Sequence, residues 1–529
     1  MWPTEFAQSY RAEGYWQGET FGELLARLAE RHGDRTAVVS GTARISYAEL
    51  DHRADRLAAG LLERGVRPGD RVVVQLPNIV EFFDAIFALT RLGAVPVLAL
   101  PAYRATEIEN LCEATAAVAY ITTNVPDGFE GRMSARADPP VLVIVVGDPG
   151  ENRALSNLYT TVRELPPGPA PCDTALLLLS GGSTGTPKLI PRTHDDYLYS
   201  VRAGAQLCGL DSDSVYLCVL PVAHNFPLAS PGVLGTLHSG GKVVLTDRPD
   251  PDLVFGLIQR ERVTITALVP SLALIWLEVA AAMAIDVASL RILQVGGAKL
   301  SPDVARRLGP AFGCVLQQSY GMSEGLVCYT RLDDSDEVIT TTQGKPMSPA
   351  DEIRIVDNHD RDVPPGAIGH LLARGPSTIR AYWNGGERNR MAFTRNGFYR
   401  TADLARITAD GDIVVEGRAT DMINRAGEKI APADMERHVR AHPAVRDVAV
   451  VGVPDRYLGE RICAFVATHP DTDPPTAADL NRFLRARGLA EFKVLDRVET
   501  VESLPTTAVG KIDRRRLVQA SIPSWEQGV

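Results

Sequence analysis

Between Ser180 and Lys188 the chain reads Ser-Gly-Gly-Ser-Thr-Gly-Thr-Pro-Lys, directly after an apolar run from Ala175 to Leu179. Gly181, Gly182 and Gly185 let backbone amides come close to an anion, and Ser180, Ser183 and Thr184 add hydroxyl donors. Lys188 supplies a mobile point charge. The chemistry this composition suits is phosphate binding. It is not a Walker A loop, in which Gly-Lys-Ser/Thr opens a helix, because Pro187 separates Thr186 from Lys188. The pattern predicts a flexible nucleotide-binding hairpin. Lysine is also rare, seven of 55 basic residues. Both Lys188 and Lys511 fall in Gly-containing segments, where a compact ammonium differs physically from the planar arginine fork.

The surrounding elements read as layered α/β. Ser46 and Glu49 form a capping-box pattern ahead of an apolar stripe through Leu50, Leu57, Leu61 and Leu62 that Gly65 ends. Arg71 to Val74 reads as a buried strand, Val80 to Leu92 as a helix and Val95 to Leu98 as another strand. Val215–Leu220, Lys242–Leu245 and Thr264–Leu268 continue the rhythm. Short, wholly apolar strands separated by helices predict parallel sheets covered on both faces. Near Asp412 to Gly417 the pattern shifts, which places a domain boundary at about residue 419. With 529 residues, several domains are expected.

Composition excludes several function classes. Charged residues are 23% and the net charge is −10, against a general polyanion binder, so no nucleic-acid partner is expected. Residues 419–529 hold 16 basic and 16 acidic residues, so the whole negative balance lies in 1–418. The longest apolar stretch, Ser271 to Ile285, is short for a membrane span and carries Glu278. Met1-Trp2-Pro3-Thr4-Glu5 has neither the basic nor the apolar region of a signal peptide. Seven cysteines without a CxxC pair, and ten histidines without an HExxH spacing, fit a cytoplasmic enzyme with reduced thiols and no protein-held zinc.

Five segments in order give the chain a resemblance to the acyl-adenylate-forming superfamily, and within it to stand-alone aryl-acid adenylating enzymes of siderophore-type pathways. They are the loop at 180–188, Gln318-Ser319-Tyr320-Gly321-Met322-Ser323-Glu324, Tyr399-Arg400-Thr401-Ala402-Asp403, Gly417-Arg418 through Asp421 to Gly427, and Pro505-Thr506 to Gly510-Lys511. The resemblance implies a large N-terminal domain of layered sheets and helices (1–418) and a small mobile α+β C-terminal domain (419–529). It implies ATP and Mg²⁺ as cofactors. Glu324 would hold the magnesium, Tyr320 would stack on adenine, and Gly296-Gly297-Ala298 would let the backbone approach adenine and the aryl ring. Asp403 would accept the ribose hydroxyls, supported by Arg418. Lys511 would place its ammonium between two anions as a carboxylate attacks the α-phosphate, where preorganised charge counts most. The small domain would rotate between adenylation and thioester formation. Ala402 replaces a usual glycine, and Thr420 replaces the usual Asp or Lys at the pivot.

The acid is read from Pro221 to Gly232. Asn225 is a neutral amide where amino-acid-activating relatives carry an aspartate, and it can bond a carboxylate or an ortho-hydroxyl. Ser230 would meet a 3-hydroxyl, Phe226, Gly297 and Val327 would wall a flat ring, and His224 resembles the aromatic gate to the pantetheine tunnel. The expected substrate is salicylate or 2,3-dihydroxybenzoate, with overlapping use. The expected acceptor is the phosphopantetheine thiol of an aryl carrier protein, in nonribosomal peptide or siderophore assembly. A benzoate-type CoA ligase using free CoA is the alternative within the superfamily. A non-catalytic nucleotide-binding scaffold is the alternative outside it, and Lys511, Glu324 and Asp403 argue against that. The arginine run Arg514-Arg515-Arg516 reads as a solvated face.

Overall fold

Because Arg71–Gln75 pairs in parallel with both Val95–Leu98 and Ala119–Thr122, the chain must cross over between strands, and helices Val80–Leu92 and Ala105–Thr115 make those crossovers. This follows from composition: all four residues of Val95–Leu98 are buried, which a strand covered on one face alone does not need. The computed structural model describes every residue except 1, 126–128, 130–140, 151, 162–164, 181–187, 283–285, 419–422, 426–427, 431, 456–457, 471, 488, 490–492, 508–509 and 522–529.

The chain divides into two compact units, residues 1–352 with 373–399, and residues 353–372 with 400–529. The larger unit holds two mainly parallel sheets. Among the described residues one has nine strands, running from Lys345–Pro346 at one edge to Ala43–Ser46 at the other. The second has seven, from Arg153–Ala154 to Lys188–Thr193. One apolar cluster gathers helix residues such as Leu57, Phe83, Tyr197 and Leu234 with strand residues of both sheets, including Val72 and Tyr216. Separate clusters cover the remaining faces: Phe255, Trp276 and Phe312 on the nine-stranded sheet, and Ile108, Leu111 and Tyr120 on the seven-stranded one. The layers are therefore helix, sheet, helix, sheet, helix, as the sequence rhythm predicts.

Local signals act as expected, with one shortfall. Helix Tyr47–Glu63 starts at Ser46, whose hydroxyl accepts the Glu49 amide, and Leu50, Leu57 and Leu61 are buried. No return bond from the Glu49 side chain to the cap is seen among the described contacts, so half of the capping box forms.

The smaller unit takes residues 353–356, 369–372, 400–407 and 413–418 of a four-stranded sheet, its strands adjacent in that order. It also holds an α+β body in which Gly459–Thr468 is flanked by Val445–Asp455, Ile423–Arg425 and Arg497–Thr500. Helices Pro432–Arg440 and Ala477–Ala486 bury Met435, Val439, Leu480 and Leu484 against it. By compactness, then, residues 353–372 and 400–418 go with the tail, because the pairing of their strands gathers them into one sheet. The boundary expected at 418/419 borders residues 419–422, outside the described set. The arginine run is only partly solvated, a correction: Arg514 donates to Glu436 and to the Val450 carbonyl at 2.6 Å each and anchors the last helix.

Candidate active site

The antiparallel pair Thr174–Ser180 and Lys188–Thr193 joins Ser180 to Lys188 in register, so both ends of the phosphate-type loop are fixed to the seven-stranded sheet. The loop residues Gly181, Gly182, Ser183, Thr184, Gly185, Thr186 and Pro187 lie outside the described residues. The two ends meet one carboxylate. Ser180 Oγ lies 3.4 Å from Glu324 Oε1 and Lys188 Nζ 4.0 Å from it. Tyr382 donates its hydroxyl to the same oxygen at 2.8 Å, sits 2.9 Å from the Tyr399 hydroxyl, and carries the Lys188 ammonium 5.2 Å above its ring. Glu324 is 5% exposed. Burial, reinforced by the Glu324 charge, pushes both phenols well above the usual tyrosine range, so they remain donors.

The backbone holds Glu324 rigidly. Gly325 has φ +137°, and a Cβ there would lie 2.0 Å from the Ser377 carbonyl, so only glycine fits the turn that ends on Glu324. The Ile379 amide donates to the Glu324 carbonyl at 2.8 Å. Arg192, 1% exposed, donates to the Ser323 and Ser377 carbonyls at 3.0 Å each and to Asp196 at 2.7 Å. One guanidinium thus ties the strand after the loop to the turn that presents the carboxylate.

The neighbouring strand Val315–Gly321 carries the other predicted nucleotide residues. Ser319, Tyr320 and Gly321 pair with Tyr329, Cys328 and Val327. Tyr320 is half-buried, Met322 packs against the central core, and Ala298 is exposed just beyond Gly297, whose φ is +83°. Gln318 spends its amide inside the protein: Nε2 donates to the Ile339 carbonyl at 2.6 Å and Oε1 accepts from Gln343 at 3.5 Å.

The predicted acid residues gather on the short helix Asn225–Ala229. His224 is its N-cap, with Nδ1 accepting the Phe226 amide at 3.3 Å. Asn225 is 9% exposed, and its Oδ1 accepts the Tyr197 hydroxyl at 2.8 Å. Ser230, 4% exposed, follows the helix. Gly296 ends a central strand where a Cβ would lie 2.9 Å from Phe226 Cζ and 2.8 Å from the Ser319 carbonyl, so the ring lies directly on that backbone. Val327 is buried with Cys208, Tyr329 and Met347, its methyls against Gly321.

In the smaller unit Asp403 and Arg418 are backbone register partners on antiparallel strands, and Asp403 is 8% exposed. The Asp403 amide donates to Thr401 Oγ1 at 3.0 Å. Ala402 takes φ +61°, the left-handed conformation that explains the glycine expected there. Arg400 pairs bidentately with Asp360. Lys511 sits in a tight turn closed by the Thr506–Ile512 bridge, its amide donating to Thr507 Oγ1 at 3.3 Å after Gly510 at φ +76°.

Tyr382, Tyr197 and Arg192 join these clusters without a sequence signal, and Tyr399 was visible only as the first letter of its motif. A single buried carboxylate beside a serine hydroxyl suits a magnesium ion held mostly by phosphate and water, the usual arrangement for that ion. No group of three or more His, Cys, Asp or Glu side chains that could cage a metal occurs among the described residues. In the larger unit, then, Ser180, Lys188 and Tyr382 gather round the Glu324 carboxylate, while His224, Asn225, Phe226 and Ser230 lie together on and beside one short helix. No helix among the described residues is long and apolar enough to cross a membrane.

Comparison with known proteins shows the family. Residues 25–383 match the AMP-binding enzyme profile, and residues 434–511 match the AMP-binding enzyme C-terminal domain. The chain is 55% identical over 524 residues to a 2,3-dihydroxybenzoate-AMP ligase of Bacillus subtilis (strain 168), covering 98% of this chain and 97% of that protein. It is 47% identical to a salicyl-AMP ligase / salicyl-S-ArCP synthetase of Mycobacterium tuberculosis, over 98% and 93% of the two chains. Among solved structures, apo MbtA of Mycobacterium smegmatis superposes with a TM-score of 0.76 at 46% identity, over 98% of each chain.

Proposed function

The chain belongs to the AMP-binding enzyme family, and on that premise we propose that it activates a 2-hydroxybenzoate-type acid, 2,3-dihydroxybenzoate or salicylate, as its acyl-adenylate. It then passes the aryl group to the phosphopantetheine thiol of an aryl carrier protein in siderophore or related peptide assembly. The observation that carries the reading is the end-to-end relationship to ligases of these two acids.

In the first step a carboxylate oxygen bonds to the α-phosphorus, the α–β anhydride bond breaks, and pyrophosphate leaves with its electron pair. The acid attacks as an anion, so no general base is needed, and the protein's work is positioning and charge. Lys188 and the loop would hold the terminal phosphates, and Glu324 would hold the magnesium, with Tyr382 and Tyr399 fixing its carboxylate. When bound, magnesium would supply positive charge that offsets the charge of the phosphates. Asp403, with Arg418, would take the ribose hydroxyls. Lys511, in the part of the chain from 419 onward, would offset the repulsion between the attacking carboxylate and the phosphate. Gly296 and Gly297 with Phe226 and Val327 form the slot for the ring, and Asn225 meets the carboxylate or ortho-hydroxyl. Ser230 supports a 3-hydroxyl and so favours 2,3-dihydroxybenzoate. In the second step the thiol sulfur attacks the carbonyl of the mixed anhydride and AMP leaves; His224, beside the acid, would line the thiol's approach. The reading places the enzyme in the cytoplasm, where its cosubstrate ATP is supplied.

ATP–pyrophosphate exchange across substituted benzoates tests the reading. Exchange with 2-hydroxybenzoates is expected; exchange with alkanoates or amino acids alone overturns it. Faster loading of a holo-carrier than of free CoA is expected for the second step.

A further inference from the structure

Asn225 does not choose its own orientation. Its Oδ1 accepts the Tyr197 hydroxyl at 2.8 Å, and both residues are buried, Tyr197 completely. The Tyr197 ring is packed within the core, with the Arg192 guanidinium 4.7 Å from its centroid and the Phe21 ring 6.2 Å away. Burial pushes the phenol above the usual tyrosine range despite the nearby arginine, so it keeps its proton at working pH. A buried phenol proton needs an acceptor, and among the described residues Asn225 Oδ1 is the one it meets. Turning the amide over would leave that proton unpaired. With the oxygen turned toward Tyr197, the opposite end of the amide presents the two N–H donors of Asn225.

The structure assigns Tyr197 as a positioning residue that orients Asn225 to present its N–H donors and thereby selects acids with an ortho-hydroxyl over acids with an ortho-amino group. The assignment rests on the reading that Asn225 meets the acid. In a 2-hydroxybenzoate the phenolic proton is held by the adjacent carboxylate, leaving the phenolic oxygen with a lone pair facing outward. A donor amide matches that lone pair. In a 2-aminobenzoate one N–H goes to the carboxylate and the second points outward, while the nitrogen lone pair is delocalised into the ring. A donor then faces a donor, and both are left unpaired in a buried site, the situation that gives the largest discrimination between analogues. An amide free to turn would accept from the amino group and lose this selectivity.

The test measures ATP–pyrophosphate exchange with salicylate, 2-aminobenzoate and unsubstituted benzoate, fitting KM and kcat separately for each acid and for ATP. Wild type should prefer salicylate to 2-aminobenzoate by more than tenfold in kcat/KM. Tyr197→Phe should shrink that preference by about tenfold through the KM for the acid, with the KM for ATP unchanged. In an Asn225→Ala background the same substitution should have no further effect. Asn225→Asp provides a measurement independent of Tyr197→Phe folding: it keeps the acceptor for Tyr197 but removes the donors, and should raise KM for every acid while moving the preference toward 2-aminobenzoate. A salicylate to 2-aminobenzoate ratio that stays put in Tyr197→Phe while Asn225→Ala alters it overturns the assignment and leaves the reading of Asn225 standing. An acid KM untouched by Asn225→Ala overturns both.

Discussion

Tyr382 donates its hydroxyl to Glu324 Oε1 at 2.8 Å while its ring face carries the Lys188 ammonium. One side chain thereby fixes the relative placement of the carboxylate and the cation at the end of the phosphate-type loop. A hydrogen bond to a charged acceptor is worth about 1.5–3 kcal/mol. Tyr382→Phe keeps the ring and loses that bond. The expected result is a fall in kcat/KM for ATP of about tenfold or more and a higher magnesium requirement, with the KM for the acid unchanged. Exchange kinetics at varied magnesium measure it. An effect confined to the acid would disprove the arrangement.

Lys511 sits in a turn pinned by Thr507 and the Thr506–Ile512 bridge, so its backbone is placed whatever its side chain does. Lys511→Ala should therefore leave the smaller unit folded. It should lower adenylation by about 10²–10³-fold, the cost of removing one preorganised charge. Thioester formation from added acyl-adenylate should persist. Exchange at wild-type rate in this variant contradicts the mechanism.

Much of the larger unit could be read from local pattern, because a strand buried on both faces has to be apolar throughout. Val95–Leu98 and Lys242–Leu245 have the bounds that composition predicts. Motif residues close in sequence, such as Ser180 and Lys188, could be grouped for the same reason. Tyr382, Arg192 and Tyr197 could not. Tyr382 lies 58 positions from Glu324 and meets it where the Ile379 amide docks on the Glu324 carbonyl. Such long-range pairings are set by sheet order, which periodicity does not encode. Gln318 illustrates the converse, since its motif position suggests a nucleotide contact while its amide serves Ile339 and Gln343.

Gly296 has no room for a methyl group. Its Cβ would meet the backbone oxygen of Ser319 at 2.8 Å and the Phe226 ring edge at 2.9 Å, and the backbone oxygen cannot swing aside. Overpacking of this kind costs about 1–3 kcal/mol. Gly296→Ala should displace Phe226 and raise the KM for the aryl acid more than the KM for ATP. Isothermal titration with each ligand separates the two effects, and an unchanged acid affinity would show that Phe226 is not a wall of the slot.

Ala402 pays for its left-handed backbone, at φ +61°, by about 1–2 kcal/mol. Part of this is recovered by glycine, which adopts the conformation freely but gives up more chain entropy. Since Ala402 is exposed, Ala402→Gly should stabilise the protein by up to about 1 kcal/mol without changing exchange activity. Chemical denaturation reads this directly. A destabilised variant would mean that the strain is relieved by other means.

Two buried groups in the larger unit pull its stability in opposite directions with pH. Burial lowers His194 to about 4, while burial raises Asp351 to about 7, and Asp351 Oδ1 finds no partner among the described residues. For His194 the unfolded chain takes up the proton first, so stability falls as pH drops from about 6.5 to 4. For Asp351 the folded chain takes it first, so stability rises as pH drops from about 7 toward 4. Each contributes a slope of about 1.4 kcal/mol per pH unit within its window, and over the shared range the two cancel. Asp351→Asn removes one side of the balance. The variant should be more stable than wild type at pH 8, where the buried carboxylate is charged, and should lose stability more steeply on acidification below pH 6.5, where His194 acts alone. Denaturation midpoints measured from pH 4.5 to 8 check both signs. Parallel curves for the two proteins would show that Asp351 keeps an ordinary carboxylate affinity for protons in the folded state.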